Sequence, residues 1–195
     1  MIHTRYLIVL ATGLLACGTK KDAPADKTET APAKAATGPA VDPSVFAELD
    51  TSAWPATKLP KAGVSVRIPK GVTITESGKL NMAPVGPYIG LTLASGYEDV
   101  QIDTDDPQLA DSKETAKEAA AAGKEKILLD APDALVRQRD KGCAVSVCKA
   151  VGKTTLCVSA GGKTILGAGG KETVVSLTPG DCASLLAIVR SLEPL

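Results

Sequence analysis

The residues with the most constrained chemistry are four cysteines in the last third of the chain: Cys143, Cys148, Cys157 and Cys182. Even sets of cysteines form disulfides in exported proteins, whereas in the cytosol they more often bind zinc or carry out redox chemistry. The spacing C-x4-C-x8-C-x24-C contains no C-x-x-C pair and is not a familiar zinc pattern. The sequence therefore favours two disulfides, provided that the chain is exported.

One disulfide follows from a predicted hairpin. Gly152 and Lys153 form a two-residue turn with glycine first, which is typical of a type II′ hairpin. This turn places Cys148 directly opposite Cys157, as a non-hydrogen-bonded pair with Cα atoms about 4.5 Å apart. A disulfide can bridge that separation.

The second disulfide would then join Cys143 to Cys182 and attach the last predicted helix to the sheet. Cys182 lies near the N-terminus of that helix, where a free thiol has a lowered pKa and raised reactivity. Thiol redox chemistry is therefore the alternative if these cysteines are reduced.

The fifth cysteine, Cys17, follows a short apolar segment at the beginning of the sequence. Residues 6–15 are apolar and follow the positively charged Arg5, and they are too few to span a bilayer, which needs about 20. The sequence Leu14-Leu15-Ala16-Cys17 resembles the lipobox of bacterial lipoproteins. The resemblance implies that residues 1–16 are a signal peptide and that Cys17 becomes an acylated residue anchored in the lipid bilayer. An ordinary signal peptide with a coincidental cysteine is the alternative.

Residues 17–43 have the composition of a disordered tether. They contain four prolines, a balance of Lys with Asp and Glu, and one large apolar residue, Val41. Such a segment buries too little apolar surface to offset the entropy of ordering. Gly18, rather than an aspartate, follows Cys17. By resemblance to enterobacterial lipoproteins, this implies anchoring in the cell envelope at the outer membrane, facing the periplasm or the cell surface.

Charge and histidine content narrow the classes of function. The chain has 22 Lys and Arg against 22 Asp and Glu, and it lacks the basic cluster that is typical of nucleic-acid binding. Its one histidine, His3, lies in the predicted signal peptide, so the mature chain has no imidazole for general base catalysis or metal binding. We therefore predict no cofactor, no resident metal and no nucleic-acid partner.

An acidic cluster at residues 103–107 has two interpretations. Calcium binding of the EF-hand type needs a run of oxygen ligands that ends in Glu, and that run is absent. Asp106 as an N-cap and Pro107 at the first helical position explain the same residues. We therefore predict the start of a helix here.

Alternating apolar residues predict strands, and helical spacing predicts two helices. The predicted strands are residues 64–68, 72–75, 88–94, 97–103, 127–129, 135–139, 144–151, 155–160 and 163–166. The predicted helices are residues 108–122 and 179–191, with a helical turn at 44–49. In the hairpin around Ser95-Gly96, Ile89 should face Ile102 and Leu91 should face Val100.

These elements predict an α+β fold, in which an antiparallel sheet is flanked by helices in a single domain of residues 44–195. Residues 63–71, Gly-Val-Ser-Val-Arg-Ile-Pro-Lys-Gly, and residues 187–192, Ala-Ile-Val-Arg-Ser-Leu, resemble the opening strand and closing helix of PsbP-like domains. The resemblance covers about residues 54–193 and implies the same fold class and an accessory or adaptor role. It brings no catalytic residues, and the four cysteines depart from the usual pattern of the family.

The sequence thus predicts a non-enzymatic, lipid-anchored envelope lipoprotein that acts as an interaction or accessory module for another envelope protein. The alternative is a periplasmic carrier or sensor of a small lipid or metabolite, with Trp54 and Tyr88 as ligand-binding residues. Trp54 can also be interpreted as a lid residue packed on the sheet, because aromatic residues usually act through their buried area. An enzyme would need a pair of carboxylates or Ser/Lys chemistry, and we find no motif for either.

Overall fold

The structure of the chain is a computed structural model that describes residues 41–47, 49–77, 88–98, 100–103, 108–139, 142–166, 170 and 172–195. The predicted signal peptide, the lipobox with Cys17, most of the tether, and the predicted helix start at Asp106 and Pro107 lie outside these residues. None of the helices in the described part of the chain is long and apolar enough to cross a membrane.

The described residues form twelve strands, two α-helices and one 3₁₀ turn. The strands are β1 (Ala56–Leu59), β2 (Val64–Arg67), β3 (Thr73–Ser77), β4 (Tyr88–Thr92), β5 (Val100–Asp103), β6 (Lys126–Ala131), β7 (Ala134–Arg139), β8 (Gly142–Val151), β9 (Thr154–Ala160), β10 (Lys163–Leu166), β11 (Glu172–Val175) and β12 (Glu193–Pro194). The helices are α1 (Gln108–Ala121) and α2 (Pro179–Arg190). The fold is rich in antiparallel sheet and has two helices, in agreement with the predicted α+β class.

Seven strands form the main sheet, in the order β3-β4-β5-β9-β8-β7-β6, and every pairing in it is antiparallel. The predicted registers are confirmed at two places. Ile89 lies opposite Ile102 between β4 and β5, and Cys148 lies opposite Cys157 between β8 and β9. The length of the two-residue turn at 152–153 sets the second register. A one-residue slip would move every side chain of the strand to the other face.

The turn between β4 and β5 is longer than the predicted two-residue turn. The N–H of Gly96 donates to the carbonyl oxygen of Leu93 (2.9 Å). The N–H of Leu93 in turn donates to the carbonyl oxygen of Tyr97 (2.9 Å). Gly96 has a φ of 83°, which a residue with a side chain rarely adopts. The strands nevertheless pair in the predicted register beyond the turn, with Leu91 opposite Val100.

One face of the main sheet, which we call the α2 face, carries the hydrophobic core. Side chains alternate between the faces of a sheet, so Val136, Val145, Val147 and Val158 share this face, and all four are buried. Helix α2 packs on β8 and β9 and buries its own stripe against them, with Leu185 fully buried. The core therefore lies between α2 and the middle of the sheet.

The sequence explains why α2 begins at Pro179. Thr178 is its N-cap, and the Thr178 hydroxyl accepts a hydrogen bond from the N–H of Asp181 (3.1 Å). In return, the carboxylate of Asp181 accepts one from the N–H of Thr178 (2.9 Å). This capping box satisfies two donors that a helix start leaves without partners.

The opposite face, which we call the α1 face, is less apolar. Helix α1 lies over β6, β7 and β8, and its one fully buried side chain among those described is Ala116. Leu135 is buried on this face, while the hydroxyls of Ser146 and Ser159 form a hydrogen bond of 3.0 Å. The helix therefore covers the sheet with small side chains, as its thin apolar stripe predicts.

Two smaller sheets complete the fold. Strands β1, β2 and β12 form one, in which Glu193 lies opposite Ser65, and the N–H of Arg67 donates to the hydroxyl of Ser191 (3.0 Å). Strands β10 and β11 form a two-stranded ribbon. The sequence did not predict β1, β11 or β12.

Residues 41–43 were assigned to the tether, but the structure includes them in the fold. Val41 is partly buried against the core, and Asp42 caps a 3₁₀ turn, Pro43–Phe46, by accepting a hydrogen bond from the N–H of Ser44 (2.9 Å). Phe46 is buried. Packing of Phe46 fixes this turn, which is shorter than the predicted helical turn at 44–49.

Candidate functional site

The four cysteines of the last third lie in two pairs at disulfide distance, and the pairs are the predicted ones. The Cα atoms of Cys143 on β8 and Cys182 in α2 are 6.5 Å apart, across 39 positions of sequence. Those of Cys148 and Cys157, on adjacent strands, are 4.1 Å apart, across nine positions. Cys143 and Cys182 lie on the α2 face, whereas Cys148 and Cys157 lie on the α1 face, because their side chains alternate with those of the core.

The two aromatic residues predicted to bind a ligand lie in different parts of the fold. Trp54 precedes β1, packs against the core, and accepts a hydrogen bond on its carbonyl oxygen from Arg67 Nη1 (3.3 Å). Tyr88 begins β4 of the main sheet, where it is half-buried. Neither residue lines any of the three cavities described below. The packing of Trp54 fits its interpretation as a lid residue.

Two cavities meet beside the N-terminal segment and α2. The first, of about 170 Å³, lies between residues 47–51 and α2, and the second, of about 480 Å³, extends from Leu49 towards Arg67. Both are lined by Leu49 and Thr51. The charged group in the described lining of the first cavity, Arg190, is already bound to a carboxylate, and the rest of the two linings combines apolar and polar side chains.

That carboxylate belongs to Asp133, in the turn between β6 and β7. Arg190 Nε and Nη2 donate to the two carboxylate oxygens at 2.8 and 2.9 Å, which is the bidentate geometry of a strong ion pair. The hydrogen bond from Arg190 lowers the pKa of Asp133 below its usual value, against the opposing effect of partial burial. The pair links the end of α2 to the main sheet.

The third cavity, which we call the Arg139 cavity, has a volume of about 470 Å³ and lies where α1, β7, β8 and β11 end or begin. Its lining combines charged, polar and apolar residues: Ala119, Lys124, Glu125, Arg139, Gly142, Cys143, Gly162, Val174 and Ser176. Volumes of this size are typical of small-molecule sites.

A three-residue ion cluster forms one wall of the Arg139 cavity. The carboxylate of Glu125 accepts hydrogen bonds from Arg139 Nε (2.6 Å) and Arg137 Nη1 (3.2 Å). The Glu125 side chain is 12% exposed, so the two arginines compensate the charge of a largely buried carboxylate. The alternation of β7 places Arg137 and Arg139 on the same face, and Gly123 (φ 69°) ends α1 just before Glu125.

The ion pairs of α1 itself are more exposed. Lys113 Nζ lies 2.9 Å from a carboxylate oxygen of Asp130 and also donates to the carbonyl oxygen of Ala131. Lys117 Nζ lies 3.8 Å from the other Asp130 oxygen. The hydrogen bond from Lys113 lowers the pKa of Asp130. These contacts tie α1 to the edge strand β6.

In the part of the chain that the structure describes, no group of three or more His, Cys, Asp or Glu side chains could hold a metal ion. The acidic cluster at 103–107 lies mostly outside that part, so the two interpretations of this segment stay predictions. Comparison of the chain with protein-family models, with curated proteins and with solved structures found no match.

Neither the Arg139 cavity nor its ion cluster was predicted from the sequence. One signal was available: Arg137 and Arg139 are two positions apart in a predicted strand, so two cations had to share one face. Their acidic partner, Glu125, comes from the connection after α1, and pattern alone does not indicate which acidic residue lies closest.

Proposed function

We propose that the protein is a lipid-anchored, non-enzymatic lipoprotein of the cell envelope that acts as an interaction module for another envelope protein. Acylated Cys17 would insert into the lipid bilayer, at the outer membrane, and residues after it would hold the folded part near that surface. The lipobox-like sequence Leu14-Leu15-Ala16-Cys17 supports the anchor. The resemblance to PsbP-like domains supports an accessory rather than a catalytic role.

The structural feature that supports partner binding is the exposed ribbon β10–β11. Ile165 and Val174, on its two strands, are 43% and 55% exposed. Register places them on opposite faces, because Ile165 lies opposite Thr173 while Val174 lies opposite Thr164. Among the described residues each strand pairs only with the other, so both outer edges retain backbone groups that another strand can pair with.

A two-stranded ribbon is only marginally stable by itself, and the addition of a strand from a partner would stabilise it. Recognition by strand addition uses the backbone for affinity and alternate side chains for specificity. The exposed Ile165 would then contact the side chains of the partner. The ribbon thus supplies both features that this mode of binding needs.

The test is site-specific photo-crosslinking in the native cells, with the photoreactive residue at position 165 and a matched control at Lys153, in the exposed β8–β9 turn. We expect one envelope protein to be crosslinked from position 165 and not from 153, and Cys17→Ser to abolish that product by releasing the protein from the membrane. Equal crosslinking from both positions would contradict a specific contact at the ribbon. Mass spectrometry of the mature N-terminus tests acylation of Cys17 independently.

The second candidate function is that of a small-ligand carrier or sensor. The site predicted for it, at Trp54 and Tyr88, gains no support, because Tyr88 lies in the main sheet, Trp54 precedes β1 of a smaller sheet, and neither lines any of the described cavities. The observation that favours a ligand is instead the volume and mixed lining of the Arg139 cavity.

A further inference from the structure

The Arg139 cavity has a cationic group that is held in position before any ligand arrives. Glu125 binds Arg139 through Nε, so the guanidinium is fixed by a charge-assisted hydrogen bond of 2.6 Å. Its Nη1 and Nη2 groups make no hydrogen bond to any residue that the structure describes. Arginine presents its N–H donors in a planar fork that matches the two oxygens of a carboxylate. A fixed guanidinium therefore loses less entropy when it binds such a group.

The charges around the cavity favour a ligand with one negative charge. Lys124 and Arg139 contribute two positive charges to the described lining, and Glu125 contributes one negative charge. Arg137 adds a further positive charge behind Glu125. A cation would be repelled, and a single carboxylate balances the net charge of +1 that Lys124, Arg139 and Glu125 carry together.

The rest of the lining would accommodate a short apolar group. Val174 of β11 and Ala119 of α1 contribute apolar side chains, and Ser176 contributes a hydroxyl. Val174 is 55% exposed, so covering it with a ligand would remove apolar surface from water. The cavity thus has a charged end and an apolar wall.

We propose that the Arg139 cavity binds a small monocarboxylate with a short aliphatic group. Arg139 and Lys124 bind the carboxylate, Ser176 offers a further hydrogen bond, and Val174 and Ala119 pack against the aliphatic part. The proposal is independent of the partner contact at Ile165, whose side chain lies on the other face of the ribbon from Val174.

The test is an NMR titration of the full, isotopically labelled chain with sodium butyrate, following the amide signals of Gly142, Gly162 and Ser176. We expect a saturable shift of these signals with butyrate, a weaker one with acetate, and none with butanol, which lacks the charge. A parallel titration with inorganic phosphate tests whether the cavity binds phosphate rather than a carboxylate. Phosphate binding as tight as that of butyrate would overturn the assignment to carboxylates.

One variant and its control test the contribution of the positive charge. Arg139→Gln removes the cation while Arg137 still pairs with Glu125, and we expect it to weaken butyrate binding about tenfold or more. Lys153→Gln, remote from the cavity, is the matched control and should bind like the parent chain. The melting temperature of each variant checks that the fold is retained.

Gly162 offers a way to block the cavity without removing a charge. A Cβ there would meet Ser176 Oγ at 3.4 Å and other atoms no closer than 3.7 Å, so a side chain can be added without distortion. Gly162→Leu should abolish the butyrate shift, whereas Gly162→Ala should largely keep it. The proposal is overturned if butyrate gives no saturable shift below about 10 mM, or if Arg139→Gln and Gly162→Leu bind it as the parent chain does.

Discussion

The α2 face and the α1 face of the main sheet are covered by helices of similar length but in different ways. Helix α2 buries large aliphatic side chains such as Leu185 and is attached to β8 through Cys143 and Cys182. Helix α1 buries little more than Ala116 and is attached by ion pairs such as Lys113–Asp130. The disulfide-distance pair on its side, Cys148 and Cys157, lies within the sheet and does not reach the helix.

The difference suggests a division of roles between the two faces. Apolar burial contributes about 25 cal/mol per Å², whereas exposed ion pairs contribute about 1 kcal/mol or less. Stability should therefore reside on the α2 face. The α1 face, where packing is looser, has room for the Arg139 cavity at the end of α1.

The largest expected difference is between the two cysteine pairs. Replacing Cys143 and Cys182 by alanine opens a loop of 39 positions and should cost about 4 kcal/mol of unfolding free energy, whereas replacing Cys148 and Cys157 opens one of nine and should cost about 2.5 kcal/mol. Urea unfolding without reductant measures both. Equal costs, or the reverse order, would contradict the comparison, and reductant should remove most of the difference.

Truncation of one leucine on each helix compares the packing directly. Leu185→Ala on α2 removes a side chain that is 0% exposed, and it should destabilise the protein by about 3 kcal/mol. Leu109→Ala on α1 removes a partly buried one and should cost about 1 kcal/mol. Thermal unfolding of the two variants is the measurement, and a cost for Leu109→Ala as large as for Leu185→Ala would show that α1 packs as tightly as α2.

A smaller effect is expected from the ion pair at the end of α2. Because Arg190 lowers the pKa of Asp133 in the folded state, the pair stabilises the protein above the unfolded pKa of about 3.9, and this contribution is lost as the pH falls through the folded pKa. After screening by solvent we expect about 1 kcal/mol at neutral pH. In Asp133→Asn, the free energy of unfolding should fall less steeply as the pH is lowered below about 4. An unchanged slope in that pH range would contradict this role.

The smallest effect is expected for the exposed pair on α1. Asp130→Asn should destabilise the protein less than Asp133→Asn, because Lys113 approaches one oxygen of Asp130, whereas Arg190 binds both oxygens of Asp133. About 1 M salt should remove most of this cost, because it shortens the Debye length to about 3 Å. Urea unfolding at low and high salt tests both statements. A cost that persists at high salt would mean that Asp130 acts through its hydrogen bond rather than its charge.

The local features of the fold could be predicted from the sequence, since each depends on neighbouring residues. The turn at Gly152-Lys153 fixes the register of Cys148 and Cys157, and Thr178 with Pro179 marks the start of α2. The missed strands depend on distant partners instead. Strand β12 has two residues, one of them Pro194, and is a strand only because β2 lies beside it.

The candidate site was harder to predict for the same reason. Four separate segments contribute to the Arg139 cavity, and its central contact joins residues 14 positions apart, Glu125 and Arg139. Trp54 has two interpretations from the sequence, as a lid residue or as a ligand-binding residue, because an aromatic side chain suits both roles. In the structure Trp54 is partly buried against the core, which fits the lid residue, and ligand binding at Trp54 stays a prediction.

The pairing of β2 with β12 affects the order in which the chain can fold. The hydrogen bond from Arg67 to Ser191 joins residues 124 positions apart, and closing so long a loop is slow. A chain that leaves the ribosome N-terminus first exposes β1 and β2 long before β12 is synthesised. The central hairpins, whose partners are adjacent in sequence, can form earlier. The small sheet of β1, β2 and β12 is therefore completed last, although two of its three strands are synthesised first.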